Sequence, residues 1–563
     1  MSLSELLKNT RPTVEQRVSA LLPPYTLFFS ICDGKQRARV VHASAEDWET
    51  AWQMGSHQAQ LLSQKLGISI CWLRVDWVYS TKETTWRDLK RKFRATKRNY
   101  FRFGLSLDSE CRIAFLEQEL NANAMLYGGN QFNHAVLNEN NFRIYAQNRY
   151  GKHVNLDFDD DHPVYVLSTQ GVFCDSSDKP VLLYGAGRHA GRRIIKNLNI
   201  SDVYHLIDRG SQYLKSQVKE SGQFFYGSHP CFDREINTYN SLRHASTTYA
   251  MLEAWEVTQE VALKESIELA LDFLTQKLIQ DTVLNTGENA SFLIDGGNEI
   301  KLGGNAVCLL ALVKYSELTG SQKYLALLER LALGMKFMQD PSCGKFTHVL
   351  HYPDLTVKEP FRIIYYDGEA AFGLIRLYGL TKDPRWLNVV EKAFDYYIVA
   401  NHWKAHDHWL SYCVNELTLY RPEERYYQFG IQNIADYLDF VVERITTFPT
   451  LLELMMAAEK MISRIQRENK YTHLLNQVDI EKFYQALEHR AHYLLNGHFW
   501  PEYAMFFKNP QKIVGSFFIR HHAFRIRIDD VEHYLSGFVA YKEFLVNHNT
   551  YENEDYTYEQ ESS

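Results

Sequence analysis

The hydrophobic and polar positions change rhythm near residue 200. Before that point short apolar runs alternate with segments of helical period. Residues 25–35 read as a strand ending in the turn at Asp33 and Gly34, and 38–42 as its hairpin partner. Residues 48–66 place apolar groups at helical spacing, and 68–79 read as a long strand. Strands alternating with helices predict an α/β or α+β domain over 1–195. Within it, 115–129 reads as a helix closed by Gly128 and Gly129. Its polar set, Glu117, Glu119, Asn121 and Asn123, suits a capped helix on the surface. The run 157–161 lacks the glycine and distal Glu of a calcium loop and reads as an acidic turn. Gly185, Gly187 and Gly191 follow a short strand with one residue too many for a dinucleotide fingerprint, so they are read as a turn into the next domain.

After residue 200 the period is helical and the chain repeats. Residues 245–259, 305–320 and 369–383 are each a small-residue apolar helix leading to a Thr-containing turn, and each precedes a second, amphipathic helix. The units recur at roughly sixty residues, a spacing that signals stacked hairpins. Less regular units over 410–464 and 480–546, with an opening helix at 203–218, bring the helix count close to twelve. On this repeat texture the region 196–550 resembles an (α/α)6 toroid of the six-hairpin glycosidase type. The resemblance implies small, apolar inner helices whose N-terminal loops line one funnel. The expected fold is therefore multi-domain α+β: a mixed N-terminal domain, a mostly helical (α/α)6 toroid, and an acidic, disordered tail at 551–563.

Composition narrows the function classes. Hydrophobic residues make up 45% of the 563 positions and charged ones 23%, enough for ordinary globular cores. Aromatic residues reach 14%, which suits either a ring-lined sugar groove or aromatic packing between helices. A net charge of −7 argues against a dedicated nucleic-acid protein. The basic, aromatic-interleaved run 90–102 is the local exception and reads as a solvated helix face. Eight scattered cysteines fit neither a zinc ribbon nor a disulfide scaffold. With no apolar leader at the start and no run long enough to span a bilayer, a cytoplasmic protein without a membrane span is expected.

The candidate chemistry sits where the repeats open. Aligned on Trp255, Tyr315, Tyr378 and Tyr541, four inner-helix mouths begin at Leu242, Gly303, Tyr366 and Ile528. Three of them carry charge: Arg243 and His244, Asp367 and Glu369, Asp529 and Asp530. An acid at a helix start is also the common cap, and only the joint pattern points to a site. Glycoside cleavage needs one protonated and one ionised carboxyl, so Asp367 or Glu369 is expected as acid and Asp529 or Asp530 as base. Arg243, His244, Tyr365, Tyr366, Trp409, Arg527 and His533 are expected to bind substrate. His402 and His406 stand at metal-sharing spacing near His408, yet no distant third ligand is evident, so no metal and no other cofactor is expected. The sequence thus reads as a hydrolase acting on an oligo- or polysaccharide with acidic sugars. A sugar epimerase or lyase using His244, His533 or a tyrosine as base is one alternative. The other is a non-catalytic protein of envelope-polysaccharide assembly. Carbohydrate is the expected partner, nucleic acid is not, and no oligomeric state is indicated.

Overall fold

The computed structural model describes residues 1–154, 156–177 and 179–561, without side chains from 549 onward. The tail expected at 551–563 lies outside the residues described in full. The chain divides into two compact units. The first comprises 1–197 together with 227–236 and 496–526. The second comprises 198–226, 237–495 and 527–563.

The first unit is built on a seven-stranded sheet with order β2 (Arg39–Ala45), β1 (Tyr25–Cys32), β3 (Trp72–Thr85), β6 (Pro163–Cys174), β4 (Gly104–Ser106), β5 (Ala114–Phe115); β7 (Val181–Leu182) pairs with β6. All neighbours are antiparallel. The domain is therefore of the α+β kind, since parallel strands would need crossover helices. The spine is β3 against β6, paired from Leu73 with Cys174 to Thr85 with Pro163, with a register shift between Val78 and Ser80. Helices α1 (Leu3–Val18) and α2 (Trp48–Leu66) bury Leu6, Val14, Ala51 and Trp52 against Leu27, Phe29 and Val75. A second core gathers Trp86, Leu89 and Phe93 of α3 (Trp86–Arg94) with Phe115, Phe158 and Phe142 of α5 (Glu139–Tyr150).

Two expectations change here. The long strand starts at Trp72 and runs on to Thr85, past the expected end at 79. The helix expected over 115–129 shrinks to α4 (Glu117–Ala122), and all six of its residues are buried. It is not a surface helix because its polar groups find partners inside: Glu119 accepts from Arg149 at 2.6 Å and Tyr145 at 2.7 Å, and Asn121 donates to the Phe101 carbonyl at 2.9 Å. The basic run meets the acidic turn, Lys90 with Asp160 at 2.9 Å. The hairpin of β8 (Gly227–His229) and β9 (Arg234–Glu235) and the short α18 (Pro501–Ala504) complete the unit.

The second unit is a closed ring. Its inner helices are α7 (Ser241–Thr258), α9 (Leu302–Thr319), α11 (Tyr365–Thr381), α13 (His408–Tyr420), α16 (Thr450–Glu468) and α19 (Ile528–Glu561). Each packs on the next, and α19 returns to α7. Outside them lie α6 (Ile200–Gln217), α8 (Val261–Phe273), α10 (Leu325–Phe337), α12 (Pro384–Val399), α14 (Glu424–Ala435) and α17 (Ile480–Tyr493). The short α15 (Leu438–Glu443) bridges α14 and α16. This is the (α/α)6 arrangement. Residues 480–495 were expected to pair with the last inner helix in one unit; α17 follows α16 and packs on both α16 and α19.

The inner helices read as small and apolar because they are covered on every side. In α9, Gly303, Gly304, Ala306 and Ala311 are all buried. Gly373 of α11 comes so close to α9 that a Cβ there would sit 2.9 Å from the Ala306 carbonyl oxygen. An antiparallel sheet, β10 (Ile279–Val283), β11 (Asn289–Asp295), β12 (Glu299–Lys301), β13 (Val349–His351) and β14 (Val357–Glu359), fills the connections around α9 and α10.

Candidate active site at the ring end

Each inner helix is preceded by an outer helix that returns the chain, so the inner helices run one way and their first turns gather at one end. Contacts between first turns bear this out. Arg243 of α7 meets Asp529 of α19 at 2.9 Å, Tyr365 of α11 packs on His408 of α13, and His533 of α19 meets Glu453 of α16 at 2.9 Å. Helix N-termini favour carboxylates, which helps a buried ring end tolerate so many of them.

Glu369 lies one turn into α11 with 5% of its surface exposed, and its Oε2 has no hydrogen-bond partner. Burial, then the negative charge of Asp407 and Glu532, pushes its carboxyl well above the usual range, which favours the protonated form. Opposite it stands Gly303: a Cβ at that position would collide with Glu369 Oε2 and the Tyr366 ring. The small residue at this mouth therefore makes room for the acid.

Asp367, only two residues earlier, points elsewhere, because residues two apart do not share a helix face. It accepts from His348 Nε2 at 3.1 Å, and His402 Nε2 lies 3.7 Å away. The amide of Arg362 donates to His348 Nδ1, so the proton of that imidazole sits on Nε2, facing Asp367. Asp367 is thus tied into the wall and does not join Glu369.

On α19, Asp529 and Asp530 also separate. Asp529 takes Arg243 at 2.9 Å and Arg527 at 3.1 Å, while its Oδ1 has no partner. Asp530 accepts from the Arg527 backbone N–H at 3.1 Å and its guanidinium at 2.9 Å, closing the helix start as a cap does. Arg243 is further pinned by the Tyr226 hydroxyl.

Deeper by one turn, Glu532 accepts from Ser246 at 2.6 Å, and burial pushes its carboxyl up to about 8. Burial alone would lower His533, but Glu532 and Glu453 overcome it and raise the imidazole to about 10, so it is a cation at neutral pH. Glu453 receives His533 Nδ1 on Oε2 and the Tyr412 hydroxyl, at 3.2 Å, on Oε1. His408 is 3% exposed; its Nδ1 lies 3.2 Å from Asp407 Oδ1, and its Nε2 has no partner.

Of the residues expected from sequence, the ring end gathers Glu369, Asp529, Arg243, Arg527 and His533. Tyr365, about a third exposed, is the most open ring among them, while Tyr366 is buried against His348. Trp409 is 4% exposed among Phe372, Tyr412 and His408, a wall residue rather than an open stacking face. His244 is fully buried, with Nδ1 on the Tyr239 hydroxyl and Nε2 on the Ala270 carbonyl, both at 2.8 Å. Both nitrogens are used inside the wall, so it serves as neither base nor substrate ligand. His402 stacks on Tyr397 and His406 on Tyr437, so their i, i+4 spacing brings no shared ligand site.

Sequence reasoning missed His408, Glu453, Glu532 and Ser246 as a set. His408 and Glu453 open α13 and α16, the two mouths left out of the alignment because their first turns carry bulky residues. The available signal was Asp407 as the N-cap of a further inner helix, immediately before His408.

No family model and no curated protein matches the chain. Solved structures similar to it include a D-mannose isomerase at 12% identity and TM-score 0.46, over 62% of this chain and 97% of that one. A cellobiose 2-epimerase from Bacillus thermoamylovorans matches at 10% identity and TM-score 0.46, covering 61% and 98%. A GH76 α-mannanase from Bacteroides thetaiotaomicron matches at 9% and 0.43, covering 62% and 98%. At these identities the likeness concerns the toroid fold alone.

Proposed function

We propose that the protein is a carbohydrate-active enzyme and that its ring end hydrolyses a glycosidic bond by acid–base chemistry. The observation that carries this reading is Glu369: a buried carboxyl with a free oxygen, on the same ring end as Asp529, a carboxyl held by two arginines. Glycoside cleavage asks for this asymmetry, a neutral acid to protonate the leaving oxygen and an ionised carboxylate to assist attack. Glu369 takes the first role and Asp529 the second. Burial and Asp530 push the Asp529 carboxyl up, and Arg527 and Arg243 oppose that shift in favour of its ionised form. Tyr365 offers an exposed ring at the mouth. Asp367 and Asp530 drop out of the catalytic pair because His348 and the α19 start occupy them.

Incubation with a panel of neutral and uronic-acid oligosaccharides, read by new reducing ends, tests the proposal. Glu369→Gln should abolish release while the circular dichroism spectrum is unchanged. Release at the wild-type rate in that variant would overturn the assignment.

A second reading, sugar epimerisation or isomerisation, is favoured by one observation: His408 Nε2 is buried and unpartnered at the same ring end. An imidazole in that state can take a proton from a sugar carbon, with the His533 cation beside it to steady the developing negative charge. Solvent deuterium appearing on the sugar carbon without cleavage would select it over hydrolysis.

A further inference from the structure

We propose that His408, Glu453 and His533 form a binding site for one divalent transition-metal ion of the zinc class. The three residues come from α13, α16 and α19, successive members of the inner ring. Their ligand atoms all lie within 4.8 Å of one another. One ion bonded at about 2.0–2.2 Å to each would need them slightly closer, a movement within the reach of side-chain rotation.

Two features beyond proximity point to a cation. First, His408 Nε2 is buried without a hydrogen-bond partner, a state that is rare because it costs free energy, and that a metal bond would relieve. Second, the Tyr412 hydroxyl donates to Glu453 Oε1 at 3.2 Å, steadying the carboxylate from behind as a metal ligand's outer partner does. Two imidazoles and one carboxylate, with further positions open, form a donor set suited to zinc, cobalt, manganese or iron(II).

Binding has a defined proton balance. Without metal, one proton bridges His533 Nδ1 and Glu453 Oε2 across 2.9 Å. The ion takes its place, bonding both atoms, and that proton leaves to solvent. The proposal concerns the ion only and leaves the hydrolytic reading in place; with the ion bound, His408 Nε2 is a ligand and not the free base of the second reading.

Titration of chelator-treated full-length protein with Zn2+ by calorimetry, in buffers of different ionisation enthalpy, tests it without any turnover assay. The expected result is one ion per chain, with release of about one proton. Co2+ should give a visible absorption band of low-symmetry nitrogen–oxygen ligation. His408→Ala and Glu453→Gln should each weaken binding at least tenfold, with circular dichroism confirming the fold in both. No saturable binding by about 100 µM metal, or equal binding in wild type and both variants, would overturn the site.

Discussion

Charges are buried in both units, and they are buried differently. In the sheet unit Arg74 faces Asp76 through two hydrogen bonds and donates again to the carbonyls of Gly191 and Glu502; Arg193 clasps Glu502, and Arg149 clasps Glu119. There each named carboxylate meets a guanidinium, Asp76 and Glu502 in fork geometry and Glu119 through Nη1 of Arg149 alone, contacts that hold chain segments together. At the ring end the carboxyls of Glu369 and Asp529 and the imidazole of His408 each keep an atom without a partner. Such atoms persist where a site is organised around something other than its own stability. The sheet unit has open atoms of its own, Glu117 Oε2, Arg37 Nε and Arg102 Nε, so the contrast rests on its arginine clasps and not on complete pairing.

This contrast can be broken experimentally, and the largest effect belongs to the open side. Glu369→Gln should lower turnover by about a thousandfold or more, since general acid catalysis contributes on that order. It should not weaken the fold. A carboxyl whose native pKa is raised loses stability as pH rises above its unfolded value, so the Gln variant should resist urea better than wild type at pH 9. For the same reason the alkaline limb of the wild-type rate profile should lie above the ordinary carboxylate range.

On the matched side, Arg74→Met leaves Asp76 charged and buried without its partner, and should cost about 3–5 kcal/mol in urea unfolding. A loss below about 1 kcal/mol would dissolve the contrast. Next comes His244. Its native pKa near 4 lies below the usual 6.5, so the neutral form stabilises the fold. That contribution is complete above pH 6.5 and drains away towards pH 4, to a total of about 3 kcal/mol. His244→Gln should flatten this part of the stability–pH curve. Gly303→Ala should cost about 1–3 kcal/mol from overpacking against Glu369 and Tyr366, with turnover falling further than stability. The smallest effect is expected at the exposed pair Arg87–Asp161, where Asp161→Ala should leave the unfolding midpoint unchanged.

Much of the architecture was legible because helical hairpins write themselves locally. Small residues recur where inner helices need all-round burial, as at Gly303 and Ala306 or Ala370 and Gly373, and the recurrence counts the hairpins. The charged mouths were legible for the same reason. Less regular units escaped: α16 starts after Pro449 with bulky Leu451 and Leu452, so Glu453 carried no repeat signal. Burial of α4 was also hidden, because its partners Arg149 and Tyr145 lie some thirty residues further on, in another helix.

What the sequence determined by itself was the ring and the charged residues at its helix mouths, since both follow from period and spacing along the chain. Only the tertiary structure decided which acid of each pair stays open. Asp367 and Glu369 differ by two positions and by which side of α11 they face, and Asp529 and Asp530 by whether a neighbouring helix or their own N-terminus claims them. Those choices depend on His348, Arg243 and the other helices of the ring, residues distant in sequence whose approach no local pattern records.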